Sequence, residues 1–297
     1  MGLTDDSVFA IPALLSSQTC KLQALSLKDN SIRIEGAMAL AQGLIDNTSL
    51  KLLDLSNNQI GSKGTMLICE ALKGNKHLLS LFLNSNKIGT EGAYAISDLL
   101  IDTKNNLLEL HMGWNLVCNT GLNSLFTALA MTNQKLKFLD ISYNFIDISV
   151  MHSLRLMIER NCSLKYFVIN DLHRFNPRAV ESLISSLQLN QSLRMVDVKL
   201  TTLEFYDKLV NEVNSARDEK IEFKRDERLL VRPKALREPD VEKPDREMMI
   251  SRSAERIHKR NDTDLLDEPL SINMITPDFT QEAHQSRKMA KPKHLSQ

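Results

Sequence analysis

The chain has 297 residues, with 37 basic and 37 acidic side chains and therefore no formal net charge. That balance excludes a global electrostatic footprint for nucleic acid or an anionic membrane. Hydrophobic residues make up 42% and charged residues 25%, the proportions of a soluble globular chain, and no apolar run approaches the ~20 residues that cross a bilayer. Four cysteines (Cys20, Cys69, Cys118, Cys162) stand 49, 49 and 44 residues apart. With no Cys-x-x-Cys pair they suit neither a zinc site nor a disulfide framework, and they imply a reduced, intracellular protein.

In chain order, the first feature is the apolar stretch 8–15. It follows Asp5 and Asp6, where a signal peptide wants positive charge, and it reads as a capping helix over 8–17. Asp6 also stands where N-myristoylation of Gly2 would want Ser or Thr. A repeat begins at Leu22. Leu22, Leu25, Leu27, Asn30 and Ile32 form a unit that returns as Leu50, Leu53, Leu55, Asn58, Ile60 and as Leu78, Leu81, Leu83, Asn86, Ile88. The fourth copy is Leu107, Leu110, Met112, Asn115, Val117 and the fifth Leu136, Leu139, Ile141, Asn144, Ile146. Leu164, Phe167, Ile169 and Leu193, Val196, Val198 are degenerate sixth and seventh copies. The opening leucines are spaced by 28, 28, 29, 29, 28 and 29 residues, a period that specifies a stacked repeat architecture.

Each position in the unit has a physical role. Apolar residues alternating with polar ones predict a short strand with one buried face. The asparagines Asn30, Asn58, Asn86, Asn115 and Asn144 are expected to satisfy backbone groups of neighbouring turns and so form a structural ladder. A four-residue step then predicts a helix in each unit, as in Ile60, Gly64, Ile68, Leu72, with the glycine allowing close packing on the strand layer. Asn47, Asn75, Asn133, Asn161 and Asn190, each three residues before the next opening leucine, are expected to end those helices in the left-handed region.

These motifs resemble leucine-rich repeats of the ribonuclease-inhibitor-like subfamily over about residues 22–200. The resemblance implies an α/β leucine-rich-repeat horseshoe, with a parallel β-sheet inside and helices outside. It departs from the pattern at Val150, which replaces the helix glycine, and at Leu172 and Thr201, which replace the ladder asparagine. One inserted residue in repeat six shifts its helical places to Phe175, Ala179, Leu183 and Leu187. Ile221 and Phe223 are expected to add a capping strand.

The domains are read as an N-terminal cap helix at 1–21, about seven repeats at 22–223, and a disordered, charged C-terminal tail at 224–297. All ten glycines lie at or before Gly121, whereas the last 74 residues hold 16 basic and 14 acidic side chains, too little apolar content to offset ordering entropy. Within the tail, 248–259 has the pattern of a short amphipathic helix and 265–279 that of a docking motif. Arg287, Lys288, Lys291 and Lys293 form a basic end.

Catalytic signals are absent. No stretch matches a phosphate-binding glycine loop, the histidines lack metal-ligand spacing, and no cofactor is expected. Asp54, Asp140 and Asp197 recur at one strand place, but adjacent parallel strands stand ~5 Å apart, so repeats two and five are too distant for acid–base work. They read as a solvated acidic face. Some intracellular members of the resembled subfamily activate small GTPases, for which the exposed Arg33 is the residue to test. The stronger signal is aromatic. Phe82, His111, Phe138 and Tyr166 fall on the solvent side of the strands, with Trp114 and Tyr143 in the adjoining turns, and sideways packing across strands is the competing account. The chain therefore reads as a cytoplasmic, non-enzymatic scaffold or adaptor that binds a protein partner on its concave face. A second partner through the tail and a structural place in a cytoskeletal or ciliary axoneme assembly are the alternatives.

Overall fold

A three-residue strand has too few hydrogen bonds to stand alone, so each repeat depends on the next to complete its backbone pairing. The structure is a computed structural model that describes residues 3–170, 175–198, 203–217 and 219–224. Eight strands, β1 (Ala24–Ser26), β2 (Leu52–Asp54), β3 (Ser80–Phe82), β4 (Glu109–His111), β5 (Phe138–Asp140), β6 (Tyr166–Ile169), β7 (Met195–Val198) and β8 (Glu222–Lys224), form one parallel sheet in chain order. This is the leucine-rich-repeat fold. The register brings Leu25, Leu53, Leu81, Leu110, Leu139, Phe167, Val196 and Phe223 side by side. From this row the core extends to the helices, and Leu53, Leu81, Leu110 and Leu139 are wholly buried. Burying each such side chain contributes about 2 kcal/mol.

The helices α3 (Ile34–Leu44), α4 (Gly61–Leu72), α5 (Thr90–Ile101), α6 (Asn119–Met131), α7 (Met151–Arg160) and α8 (Pro177–Leu189) pack consecutively on the other side of that core. Phe175, Ala179, Leu183 and Leu187 are all buried, at the places expected of a repeat with one inserted residue. The N-terminal segment forms two short helices, α1 (Asp5–Val8) and α2 (Ile11–Leu15), rather than one. Pro12 lies in the first turn of α2, where its missing N–H costs nothing and its fixed φ suits a helix start.

Asparagine side chains join the repeats. The Oδ1 atoms of Asn58, Asn86, Asn115 and Asn144 accept the N–H of Ile32, Ile60, Ile88 and Val117 one repeat back, at 3.0, 3.4, 3.0 and 3.1 Å. Their Nδ2 atoms donate to the carbonyls of Leu27, Leu55, Leu83 and Met112 at 2.9, 2.8, 3.0 and 3.0 Å. Leu172 and Thr201 lie outside the described residues, but the Ile146 N–H in repeat five bonds within its own turn, to the Asn144 carbonyl. Repeat five also opens its helix with a 3-10 turn over Ile148–Val150.

The helix-ending asparagines differ from expectation. Asn161 and Asn190 are extended, with φ of −77° and −72°, not left-handed. They belong to a second ladder at the opposite end of the strands. Asn47, Asn133, Asn161 and Asn190 donate to the carbonyls of Leu15, Leu100, Leu129 and Ile158 in the preceding unit. Each Oδ1 accepts the N–H two or three residues on, as Asn161 does from Ser163 and Leu164. At the C-terminal end Arg217 takes over, donating to the Leu187 and Leu193 carbonyls at 3.0 and 3.1 Å. Left-handed backbone occurs just before the first ladder, at Asp29, Asn57, Ser85, Trp114 and Tyr143, and also at Lys87, Gly61 and, after α4, Gly74.

The helix glycine sits at a close approach on two sides. A Cβ at Gly64 would collide with Ile60, the last place of its own repeat unit, and stand 3.0 Å from the Ala37 Cβ, and one at Gly121 would stand 2.9 Å from both Val117 Cγ1 and the Ala93 Cβ. The glycine thus permits close approach both to the core residue that ends its own unit and to the preceding helix. The tail 225–297, with its expected disorder and its three motifs, lies outside the described residues.

Asn115→Ala is expected to lower the unfolding free energy by about 2–4 kcal/mol, since it strands several buried backbone groups. Asn30→Ala, at the half-exposed end of the ladder, should cost about 1 kcal/mol or less. Urea unfolding of the two variants measures both, and equal losses would refute a load shared between repeats.

Candidate interaction site

On each strand the first and third residues point away from the helices, giving two parallel rows on the inner face of the sheet. The register sets Phe82 beside His111 in one row and Phe138 beside Tyr166 in the other. The rings then stack across the rows. Phe82 and His111 have centroids 4.3 Å apart at 14°, His111 and Phe138 4.4 Å apart at 22°, and Phe138 and Tyr166 6.1 Å apart at 30°. The diagonal step from His111 to Phe138 makes one column of four rings over four strands. Such stacks contribute about 0.5–1.5 kcal/mol per pair beyond area burial. The sideways packing of Phe138 on Tyr166 is therefore present, as part of a longer column. Phe82, His111 and Phe138 are buried, whereas Tyr166 is 42% exposed. Tyr166 is the member of the column that presents surface.

The remaining two aromatic residues form a separate pair. Trp114 and Tyr143 stack at 4.0 Å and 25° on the turns after β4 and β5. Their φ values are 56° and 53°, a left-handed conformation that costs bulky side chains about 1–2 kcal/mol each. Beside them stand Leu116 and Phe145, 51% and 53% exposed, which sequence reasoning missed. The signal was available: both occupy the place after the ladder asparagine, where repeats two and three carry Gln59 and Lys87.

The recurring aspartates are buried rather than solvated: Asp54, Asp140 and Asp197 expose only 7, 4 and 6%. The solvated acidic face is thus corrected. Asp54 accepts the Ser56 N–H at 2.9 Å, and Asp140 accepts the N–H and the hydroxyl of Ser142 at 2.9 and 2.6 Å. Asp54 and Asp140 thus hold the turns that follow β2 and β5. Arg33 is exposed just before α3, and its own N–H donates to Asp5 Oδ1 at 2.8 Å. Among the described residues no group of three His, Cys, Asp or Glu side chains gathers to hold a metal.

The four cysteines are free thiols, and two are shifted in opposite directions. At the start of α6, Cys118 has its pKa lowered to about 7 by hydrogen bonding with the hydroxyls of Thr120 and Thr90 and by nearby backbone N–H groups. Burial in the core pushes the Cys69 thiol up to about 12.

The Leucine Rich repeat family model matches residues 18–41, 46–69 and 74–97, so the chain carries leucine-rich repeats. No curated protein matches the sequence. Solved structures similar to the chain include the actin-binding site 2 of leiomodin-1, at 14% identity over 86% of this chain and 97% of that one, with a TM-score of 0.33. Another is an internalin from Listeria monocytogenes, at 20% identity over 73% of this chain and 50% of that one, TM-score 0.38. A third is the tropomodulin C-terminal domain of Caenorhabditis elegans, at 11% identity over 70% and 92%, TM-score 0.30. Among the described residues no helix is long and apolar enough to cross a membrane.

Trp114→Asn/Tyr143→Asn relieves the backbone cost and removes one ring stack, so its melting temperature is expected to equal or exceed that of the wild type. A fall of several degrees in a thermal melt would show that the pair is structural. In alkylation with iodoacetamide, the rate difference between wild type and Cys118→Ser is expected to rise with pH through a midpoint near 7, because the thiolate is the nucleophile. Cys69 is expected to stay unmodified in the folded protein. Thr120→Val should move the Cys118 midpoint upward.

Proposed function

We propose that this chain is a non-enzymatic protein-interaction scaffold of a reducing intracellular compartment, and that its partner lies along the inner face of the sheet. The observation that carries this reading is the column Phe82–His111–Phe138–Tyr166. A ring held in place by stacked neighbours on a rigid sheet loses little conformational entropy on binding, and an exposed tyrosine so held suits a binding hot spot. Tyr166 is the accessible anchor, with the other rings holding it in place. The ladder, the 28–29-residue spacing and helices of 10 to 13 residues in α3–α8 support placing the repeats in the ribonuclease-inhibitor-like subfamily. The free thiols support the compartment.

The test is affinity capture from cell extract with the full chain, comparing wild type with Tyr166→Ala. Because Tyr166 is 42% exposed and makes one stack at the end of the column, the variant should stay folded with a melting temperature only a few degrees lower, yet lose a specific partner by about tenfold or more, as hot-spot truncations do. An unchanged set of bound proteins refutes the inner-face reading. Salt extraction of the same cells separates the scaffold from the cytoskeletal alternative: an adaptor is released, whereas an assembly component stays with the salt-resistant pellet.

A further inference from the structure

Repeats five to seven change the chemistry of the residue that precedes each strand. Gln23, Lys51, Leu79 and Leu108 hold that place before β1 to β4, whereas Lys137, Lys165 and Arg194 hold it before β5, β6 and β7. Backbone bonds fix the three cations as neighbours. The Lys137 carbonyl accepts the Lys165 and Tyr166 N–H groups at 2.8 and 3.0 Å, and the Lys165 carbonyl those of Arg194 and Met195 at 2.8 and 3.1 Å. Adjacent parallel strands stand about 5 Å apart, and like charges placed side by side on them repel. Folding alone therefore does not select this row.

The other charges on this part of the inner face are already engaged. Arg194 pairs with Glu219, and Lys135 donates to the Thr103 and Asn105 carbonyls and to Asn106 Oδ1. Glu109 accepts the Ser80 hydroxyl at 2.9 Å, Asp140 holds the Ser142 turn, and Asp197 and Glu222 each have an interaction of their own. Lys137 is exposed and Lys165 half-buried. Among the described residues neither Nζ makes a hydrogen bond or an ion pair. Tyr166 follows Lys165 directly and is 42% exposed. An accessible ring and two uncompensated cations thus lie side by side on a rigid surface.

We propose that the inner face of repeats five and six docks an acidic segment of a partner protein, with an aliphatic or aromatic side chain against Tyr166 and flanking carboxylates against Lys137 and Lys165. Opposite charges offset the repulsion that the row carries in the free protein, and the fixed ring supplies apolar contact at small entropic cost. Two free cations on a chain with no net charge suit a short acidic peptide rather than a nucleic acid, which gains affinity from many neutralised phosphates. The proposal rests on the inner-face reading and names its partner's chemistry. The lysines and Tyr166 are varied separately, so the two can fail separately.

The full chain is used to select from a library of random 12-residue peptides displayed on phage. The enriched peptides are then synthesised with a fluorescent label and titrated by anisotropy. The expected result is enrichment of aspartate or glutamate beside an aliphatic or aromatic residue. Binding should weaken at least tenfold in Lys137→Gln/Lys165→Gln, in Tyr166→Ala, and when the peptide carboxylates become amides, and it should weaken as salt rises. Lys137→Gln/Lys165→Gln should melt with the wild type, since neither amine is bonded, and Lys63→Gln/Lys104→Gln, exposed elsewhere, should keep full affinity. Enrichment of basic or uncharged peptides alone, binding that survives Lys137→Gln/Lys165→Gln, or no enrichment overturns the proposal. So does a single-stranded oligonucleotide that binds in place of any acidic peptide and is lost with the same lysine pair, or sedimentation showing that the lysines join two copies of this chain. If Tyr166→Ala releases a captured partner that Lys137→Gln/Lys165→Gln retains, the acidic segment alone is refuted; if neither variant releases one, both readings fall.

Discussion

Satisfying the backbone where the chain turns is the constraint on which this structure depends. Every repeat must leave the sheet, form a helix and return, and each turn leaves N–H and C=O groups that no regular ladder can pair. A buried group without a partner costs about 1–3 kcal/mol, so a stack with two turns per repeat is unstable unless those groups are answered. Asparagine answers them because its short amide carries donor and acceptor together. Asn115 shows the economy of this: one side chain serves the Leu83, Met112 and Gly113 carbonyls and the N–H groups of Asn86 and Ile88.

Two such ladders run along the stack, one at each end of the strands, and their terminal groups need partners from outside the repeats. At the N-terminal end Asp5 accepts the Arg33 and Gly36 N–H groups at the start of α3, while the Leu15 carbonyl receives Asn47. At the other end the longer Arg217 side chain, with its fork of donors, reaches the Leu187 and Leu193 carbonyls. Burial lowers the Arg217 pKa, helped by nearby Arg194; even so, a guanidinium keeps its charge and serves as a permanent donor. The second ladder is thus completed at both of its ends by the same kind of bond that joins its repeats.

Rigidity is what gives the surface its meaning. With the inner face built from side-by-side strands, ring positions are set by register, and the column from Phe82 to Tyr166 follows from Phe82 pairing His111 in one row and Phe138 pairing Tyr166 in the other. The edge pair is set by turn geometry, since Trp114 and Tyr143 occupy equivalent left-handed positions one repeat apart. Column and pair arise from different parts of the repeat, and they differ in access: most of the column is buried, and the apolar residues beside the pair are exposed.

The repeat period, the short strands, their parallel order, the first asparagine ladder and the core leucines were legible in the sequence, because each follows from local spacing repeated at a constant interval. That Phe82, His111, Phe138 and Tyr166 leave the strands on the side away from the leucines was legible as well, from the alternation of a strand, but not that the first three are buried by their neighbours. What spacing does not contain is the distance between groups in different repeats. The helix-ending asparagines look like left-handed caps when one repeat is read by itself, and only the neighbouring repeat's carbonyl reveals a second ladder. The helix glycines fit against the core residue of their own unit, as the spacing suggests, but also against the preceding helix, which the spacing does not show. Asp54, Asp140 and Asp197 look solvated by residue type, yet tertiary structure buries all three, and Asp54 and Asp140 hold the turns that follow them. Sequence determined what each repeat is, through local stereochemistry and burial; tertiary structure decided what the asparagines are for, because their partners in the neighbouring repeat lie 26, 31 or 32 residues away.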